Sequence, residues 1–137
     1  MDNSFYKLIS LKTIKGDNSY ITKIIDKNKK NYFGIDEVYS SNLQKNTIKA
    51  WKKHKKMTCN ILVVKGEIKF VFFDNLFKKN NKIIINEKDN VMLFIKPCVW
   101  FGFKGLKKNN TLINFSNILH KDKEILKTKY DETKFKF

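Results

Sequence analysis

The sequence predicts a single all-β domain, either a barrel or a sandwich of short strands. At 137 residues the chain has the length of one domain with one hydrophobic core. Apolar residues make up 42% of it and include 12 phenylalanines, which is too rich a composition for a disordered chain. Short runs of β-branched and aromatic residues recur along its whole length, separated by Asn, Asp, Gly and Lys. We therefore expect one domain over residues 1–137.

Ten strands are predicted, each because β-branched or aromatic residues dominate it and turn-forming residues bound it. In chain order they are Phe5–Ile14, Tyr20–Ile25, Tyr32–Ser40, Thr47–Lys52, Cys59–Lys65, Glu67–Asp74, Lys82–Ile85, Val91–Ile95, Val99–Phe103 and Thr111–Phe115. Regular spacing of short strands is typical of barrels and sandwiches.

The sharpest chain reversal is predicted at Gly66, as a hairpin that joins the run Ile61–Val64 to the run Glu67–Asp74. Glycine supplies the positive φ that a tight turn needs. A second reversal is expected at Asn86–Asn90, where polar residues interrupt two apolar runs.

The character of the chain changes after Asn117. The segment Ile118–Lys127 predicts one or two helical turns. The last residues, Tyr130–Phe137, alternate lysine with aromatics, and we expect them either to pack on the barrel or to remain loose.

The formal net charge of +16 comes from lysine alone, since all 29 basic residues are Lys. Proteins that bind nucleic acid normally use Arg for bidentate base contacts and for stacking. The lysines are also spread along the chain rather than concentrated in one block. We therefore expect no nucleic-acid partner, and a local use of the excess lysine is to neutralise the phosphates of a small anionic ligand.

A cytoplasmic protein without a membrane partner is expected. No run approaches the ~20 apolar residues of a membrane-spanning helix, and the N-terminal residues lack a signal-peptide pattern. The two cysteines, Cys59 and Cys98, have no C-x-x-C spacing and lie in apolar runs, so both are expected to be buried thiols.

The densest group of polar side chains is Lys49–Lys56. On an extended strand Lys52 and His54 share one face. Repulsion from the lysines should lower the pKa of His54, and a neutral imidazole near pH 7 can act as a base. The alternative is a solvated lysine run in which His54 is a bystander.

Neither a metal site nor a cofactor is expected. The chain has only two histidines, His54 and His120, so a multi-histidine site is impossible. No P-loop or glycine-rich dinucleotide motif occurs. The aromatic residues Trp100, Phe101 and Phe103 offer two alternatives, stacking on a base or sugar at a barrel mouth or ordinary core packing.

Successive blocks of the chain resemble short proteins of the dTDP-4-dehydrorhamnose 3,5-epimerase-related cupin family. The blocks are Ile35–Ser40, Ile48–Asn60, Val64–Asp74, Pro97–Leu106 and Asn114–Glu124. The resemblance spans roughly residues 33–124. It implies a cupin double-stranded β-helix (jelly-roll) barrel with a short C-terminal helical turn, a homodimer, and a nucleotide-activated sugar as partner in surface-polysaccharide biosynthesis.

The resemblance also shows where this chain departs from the family. Members remove a proton beside a sugar ketone with a histidine and return it with a tyrosine. The position of that histidine is Lys52 here, and the position of the tyrosine falls near Ile113 or Asn114. A second family histidine falls at Phe101, and the arginine that holds the nucleotide diphosphate corresponds to Lys49.

The resemblance therefore implies a reassigned catalytic set. His54 is the nearest substitute for the base, Lys52 stabilises the enolate, and Tyr39 supplies the acid, with Tyr130 as an alternative. The implied substrate-binding residues are Lys49, Trp51, Asn60, Trp100 and Phe101.

Three functions are consistent with these observations. The first is a metal-independent nucleotide-sugar isomerase of the 3,5-epimerase type. The second is a cupin that binds a sugar nucleotide or a carbohydrate without catalysis. The third is a lysine-driven binder of anions or nucleic acid.

Overall fold

Short antiparallel strands build the molecule. The computed structural model describes residues 5–137. The strands are β1 (Tyr6–Ser10), β2 (Lys12–Gly16), β3 (Ser19–Lys23), β4 (Glu37–Gln44), β5 (Ile48–His54), β6 (Cys59–Lys65), β7 (Glu67–Phe73), β8 (Asn80–Asn86), β9 (Val91–Ile95), β10 (Trp100–Gly105), β11 (Asn109–Ser116) and β12 (Ile125–Lys127).

Ten of these strands form two five-stranded sheets that enclose the core. The first sheet has the order β1-β9-β6-β11-β4 and the second has the order β12-β5-β10-β7-β8. All of their pairings are antiparallel. Strands β2 and β3 form a separate two-stranded sheet. This is the all-β barrel that the sequence predicts.

The hydrophobic core lies between the two sheets because alternate residues of each strand point inwards. On β6 the inward residues include Cys59 and Ile61, and on β7 they include Phe70 and Phe72, all at most 3% exposed. Phe101 of β10 packs in the same cluster. The large aromatic side chains of the second sheet therefore form one wall of the barrel interior.

The reversal at Gly66 is present, but it is not a hairpin. Strands β6 and β7 belong to different sheets, so the chain turns a corner between the two layers. Gly66 has φ of 75°, and a Cβ there would lie 2.4 Å from the carbonyl oxygen of Asn109. Consecutive inward-facing runs can either pair in one sheet or face each other across the core, and local sequence does not distinguish these two outcomes.

The strand predictions need correction at several boundaries. The predicted strand Phe5–Ile14 is interrupted at Leu11, between β1 and β2. Leu11 is buried and donates its N–H to the Asn90 carbonyl, and the chain leaves the first sheet at this residue. Strand β4 begins at Glu37 and continues to Gln44, later than predicted. The predicted helical segment contains only a 3-10 turn at Asp122–Glu124, and its last three residues form β12. No helix in the described range is long and apolar enough to cross a membrane.

The two cysteines differ in their environment. Cys59 is buried in the core, and burial raises the pKa of its thiol to about 11, as expected for a small apolar side chain. Cys98 is exposed and has a positive φ of 69°, because it lies in the turn between β9 and β10. The prediction of a buried Cys98 was therefore wrong.

Replacing Gly66 tests the corner between the sheets. We expect Gly66→Ala to lower the free energy of unfolding by about 2 kcal/mol or more, because the positive φ and the clash with Asn109 both act against it. Gly34→Ala is the matched control, since Gly34 also has a positive φ but nothing within 4 Å of its Cβ position. Equal losses in thermal or urea unfolding would contradict the role of the close approach.

Candidate active site

Strand β5 presents its two candidate catalytic residues on its inner face. Lys52 and His54 are two residues apart and point to the same side, as the sequence predicts. The Nζ atom of Lys52 lies 5.2 Å from the centre of the Phe101 ring. The centre of the His54 ring lies 6.1 Å from the same ring centre. Since Phe101 belongs to the core, both functional groups face the barrel interior.

His54 is paired with the carboxylate of Glu124. The two side chains are 3% and 8% exposed, and 2.7 Å separates His54 Nδ1 from Glu124 Oε2. The other carboxylate oxygen, Oε1, accepts the backbone N–H groups of Lys56 and Met57, each at 2.8 Å. This bonding holds the carboxylate in one orientation, so it also fixes the direction of the imidazole.

The electrostatics of this pair keep His54 neutral and Glu124 charged. Burial is the largest cause of a lowered His54 pKa; the hydrogen bond that His54 donates to Glu124 opposes this lowering, and the charge of Lys52 adds to it. Burial acts to raise the pKa of Glu124, but hydrogen bonds from His54, Lys56 and Met57 together hold it below its usual value. The charge of Lys52 acts on the His54 pKa in the direction that the sequence predicts, and burial has the larger effect.

A neutral His54 that donates its Nδ1 proton to Glu124 carries a free lone pair on Nε2. This Nε2 atom is buried and has no hydrogen-bond partner among the described residues. A buried nitrogen without a partner is costly in a site that binds nothing. Its lone pair is therefore not used by any of the described residues.

Tyr39 provides a neutral phenol on the opposite sheet. It lies across from Asn114 in the pairing of β4 with β11, and Asn114 Nδ2 donates to its hydroxyl oxygen at 2.9 Å. Burial is the main cause that raises the pKa of Tyr39, so the phenol keeps its proton. The negative charge of Glu124 also acts to raise the pKa of Tyr39.

A positively charged cleft opens beside Lys52. Its volume is about 460 Å³. The lining residues are Lys49, Ala50, Trp51, Lys52, His120, Ile125, Lys127, Thr128 and Lys129. Lys127 lies directly across from Lys52 in the pairing of β12 with β5. Four lysines at one cleft favour an anionic ligand.

A second cleft of about 550 Å³ reaches Glu124 from another side. Its lining includes Lys55, Lys56 and Lys121 over an apolar floor of Ile118 and Leu119. Lys52 does not line it, and neither His54 nor Tyr39 lines either of the two clefts. Because Lys52 lines the charged cleft of about 460 Å³, that cleft is the candidate active site.

The two tryptophans expected to bind substrate belong to a cluster on the outer face of the second sheet. Trp51 and Trp100 pack there with Val71 and Phe73, because they alternate with the inward residues of β5 and β10. Trp51 also touches the rim of the charged cleft. Gly102 permits this packing, since a Cβ at that position would lie 2.9 Å from the Trp51 ring.

The C-terminal tail covers the same outer face. The rings of Tyr130, Phe135 and Phe137 lie 6.2, 5.6 and 5.2 Å from the Trp51 ring, centre to centre. Of the two expectations for the tail, packing on the barrel is the one observed. Tyr130, the alternative acid, therefore lies on the side of β5 away from His54.

The side chain of Asn60 points away from the barrel interior and is hydrogen-bonded to Asn31. Its side chain accepts a 2.6 Å hydrogen bond from Asn31 Nδ2 and donates a 2.9 Å bond to the Asn31 carbonyl. It alternates along β6 with Cys59 and Ile61, which face the core. Asn60 is therefore placed away from the interior, where a substrate-binding role was expected of it. Trp100 was expected to bind substrate as well, and it lies in the outer cluster.

Sequence reasoning missed the partner of His54. Glu124 is 70 residues away in the chain, and no local pattern in the sequence pairs it with His54. His120 instead lines the charged cleft and makes an edge contact with Tyr39, with 6.3 Å between ring centres. In residues 5–137 no group of three or more His, Cys, Asp or Glu side chains is arranged to hold a metal ion.

Comparison with known proteins identifies the family. The FdtA model, described as WxcM-like, C-terminal, matches residues 4–136, which is nearly the whole chain. No curated protein matches the chain at a significant level.

Solved structures share the fold at low sequence identity. A dTDP sugar isomerase from Desulfovibrio desulfuricans G20 has a TM-score of 0.83 and 24% identity, over 96% of this chain and 88% of that one. QdtA, a sugar 3,4-ketoisomerase from Thermoanaerobacterium thermosaccharolyticum in complex with TDP, has a TM-score of 0.80 and 20% identity, over 92% and 90%. A dTDP-4-dehydrorhamnose 3,5-epimerase from Elizabethkingia anophelis NUHP1 has a TM-score of 0.81 and 10% identity, over 95% and 79%. The predicted cupin barrel and the predicted resemblance are both confirmed.

An NMR titration of His54 tests the buried pair. We expect its pKa to lie below the usual histidine value, and to fall further in Glu124→Gln, because that change removes the charge and hydrogen bond that favour the protonated ring. Asp122→Asn, an exposed neighbour in the same turn, should leave it unchanged. A wild-type pKa above the usual value would contradict the dominance of burial.

Proposed function

The chain belongs to the FdtA (WxcM-like, C-terminal) family, and we propose that it is a nucleotide-sugar isomerase that moves a proton beside a sugar ketone. The observation that carries this proposal is the buried His54–Glu124 pair, which leaves Nε2 of a neutral imidazole unpartnered on the same inner face as Lys52. A base of lowered pKa next to a cation is the arrangement that abstraction of an acidic C–H requires.

Each residue of the site has a distinct part in this reaction. His54 Nε2 takes the proton from the carbon next to the ketone, and Glu124 stabilises the imidazolium that forms. Lys52 supplies the positive charge toward which the electrons of the breaking C–H bond move. Tyr39, whose phenol stays protonated, returns a proton. In this role it replaces the tyrosine that the family has near Asn114, which is the cross-strand neighbour of Tyr39.

The nucleotide part of the substrate is proposed to bind in the lysine-lined cleft. The Nζ atom of Lys49 lies 3.0 Å from Ser41 Oγ, and Lys127 and Lys129 line the same cleft. These ammonium groups suit a diphosphate as point charges. The neighbour QdtA is in complex with TDP, which supports a nucleotide of this class. Phe101 contacts Lys52 and His54 and would form the floor beneath the sugar.

We further propose that the protein is a homodimer of the cytoplasm that serves surface-polysaccharide biosynthesis. The two-stranded sheet of β2 and β3 supports the dimer, because it stands apart from both large sheets. It also exposes 73% of Tyr20 and 65% of Ile21, an apolar surface that a partner subunit would cover.

A second candidate function is a sugar-nucleotide-binding cupin without catalysis. The observation in its favour is the lysine at position 52, where the family has its histidine. Binding of a TDP-sugar without any exchange of its acidic hydrogen would support this alternative. Micromolar binding to arbitrary DNA that collapses steeply with salt would instead support the lysine-driven binder.

Loss of the base is the most direct test. We expect wild-type protein to incorporate solvent deuterium into TDP-4-keto-6-deoxyglucose beside the ketone, and His54→Gln to lower this rate roughly 10²–10⁴-fold, the usual contribution of a general base. Lys53→Gln is the control, because Lys53 lies on the other face of β5, where its Nζ is 5.0 Å from the Trp100 ring. Exchange at the wild-type rate in His54→Gln would exclude His54 as the base.

Removal of cleft lysines tests the binding site. We expect Lys49→Ala and Lys127→Ala each to weaken TDP binding about tenfold, or ~1.4 kcal/mol, with a reduced dependence on salt, because each removes one charge-assisted contact. Calorimetric titration measures this effect. Lys88→Ala, an exposed lysine in the turn between β8 and β9, should keep the wild-type affinity, and equal losses in all three variants would contradict a local site.

A further inference from the structure

We infer that Lys52 acts as a nucleophile, forming a covalent protonated imine with the ketone carbon of the sugar substrate. This inference rests on the proposed function and specifies how Lys52 accepts the electrons in that reaction. It also narrows the reaction to one that keeps the ketone in place.

The position of Lys52 provides the first support. It lines the charged cleft and lies on the inner face of β5 two residues before His54, so its side chain points to the same side of the strand as the base. The Nζ atom lies over two aromatic rings, 5.2 Å from the centre of Phe101 and 5.5 Å from that of Phe103. A ketone bound there would meet the amine in an apolar environment.

The partners of Lys52 provide the second support. The described residues offer its ammonium group these ring contacts and no hydrogen-bond acceptor or carboxylate. A lysine that served only as a fixed charge would normally be paired when partly buried. Lysines become nucleophilic when they are desolvated in an apolar pocket or placed beside other cations, and Lys52 has both conditions.

The neighbouring charges strengthen this effect. Burial is the largest cause of a lowered Lys52 pKa, and the charges of Lys49 and Lys127 lower it further, against a smaller opposing effect from Cys59. Lowering the pKa raises the fraction of free amine, which is the form that attacks a carbonyl.

The covalent step balances without any added reagent. The free amine adds its lone pair to the ketone carbon, so a C–N bond forms; the carbonyl oxygen leaves as water after accepting two protons. One of these protons comes from the amine and one from solvent, and the product is the protonated imine. Nothing is oxidised or reduced. Hydrolysis by water later reverses the step and returns the ketone and the amine.

The imine makes the neighbouring C–H bond more acidic. His54 takes that proton; the C–H electron pair becomes a C=C bond, and the C=N electrons move to the nitrogen, giving an enamine. A proton returned to the same carbon restores the imine, which water then cleaves. A proton placed on the former ketone carbon would instead leave a C–N single bond that water does not cleave. The covalent route therefore favours epimerisation or exchange over movement of the ketone.

Trapping with a mild reductant tests the inference on the full chain. The protein is incubated with TDP-4-keto-6-deoxyglucose and cyanoborohydride, which reduces imines, and the adduct is mapped by peptide mass spectrometry. We expect one adduct per chain at Lys52, at least tenfold more than at any other lysine. It should disappear in Lys52→Arg, which keeps the charge, and remain in Lys53→Arg, the neighbour on the other face. Melting temperatures of the variants confirm that they are folded.

The outcomes separate this inference from the proposed function. Deuterium exchange in the same sample without an adduct at Lys52, or an adduct spread evenly over exposed lysines, would overturn the covalent role and leave the isomerase proposal standing. Deuterium exchange at the wild-type rate by Lys52→Arg would also overturn the covalent role, since a positive charge at position 52 would then be sufficient for the reaction. An adduct at Lys52 without exchange would support the nucleophile and count against the isomerase.

Discussion

The carboxylate of Glu124 accepts three hydrogen bonds from one short stretch of chain, and the site depends on them. One comes from His54 at 2.7 Å, and the backbone groups of Lys56 and Met57 give the other two at 2.8 Å. The backbone carbonyl of Glu124 also accepts the N–H of Lys55. These bonds attach the segment before β12 to the end of β5. Because they are buried, loss of the carboxylate would leave several donors unpaired and the histidine without an orientation.

Strand β5 joins two environments of opposite character. Its inner face carries Lys52 and His54 toward the barrel interior, and its outer face carries Trp51 into an aromatic cluster with the C-terminal tail. Backbone hydrogen bonds between Trp51 and Thr128 attach the tail to the same strand. The aromatic packing stabilises the outer side of the strand, and this support keeps Lys52 and His54 in place on the inner side.

Local patterns in the sequence predicted most strands because alternation of apolar and polar residues survives in any β-fold. They did not predict which strands pair. The run around Gly66 has the pattern of a hairpin, yet its arms lie in different sheets, since inward-facing residues on both arms satisfy either arrangement. The same limit applies to the binding residues. Trp100 and Phe101 are adjacent, and only the register of β10 decides that Phe101 faces the interior and Trp100 the outer cluster.

The sequence alone determined the all-β class, the family resemblance, and the shared face of Lys52 and His54, because each depends on neighbouring residues. The tertiary structure decided the rest of the site. It brought Glu124 to His54 across 70 residues and set Tyr39 beside Asn114 across 75. It also placed the side chains of Asn60 and Trp100 outside the barrel interior. Contacts between distant segments follow from how two sheets pack around one core, and no local pattern of residues records that packing.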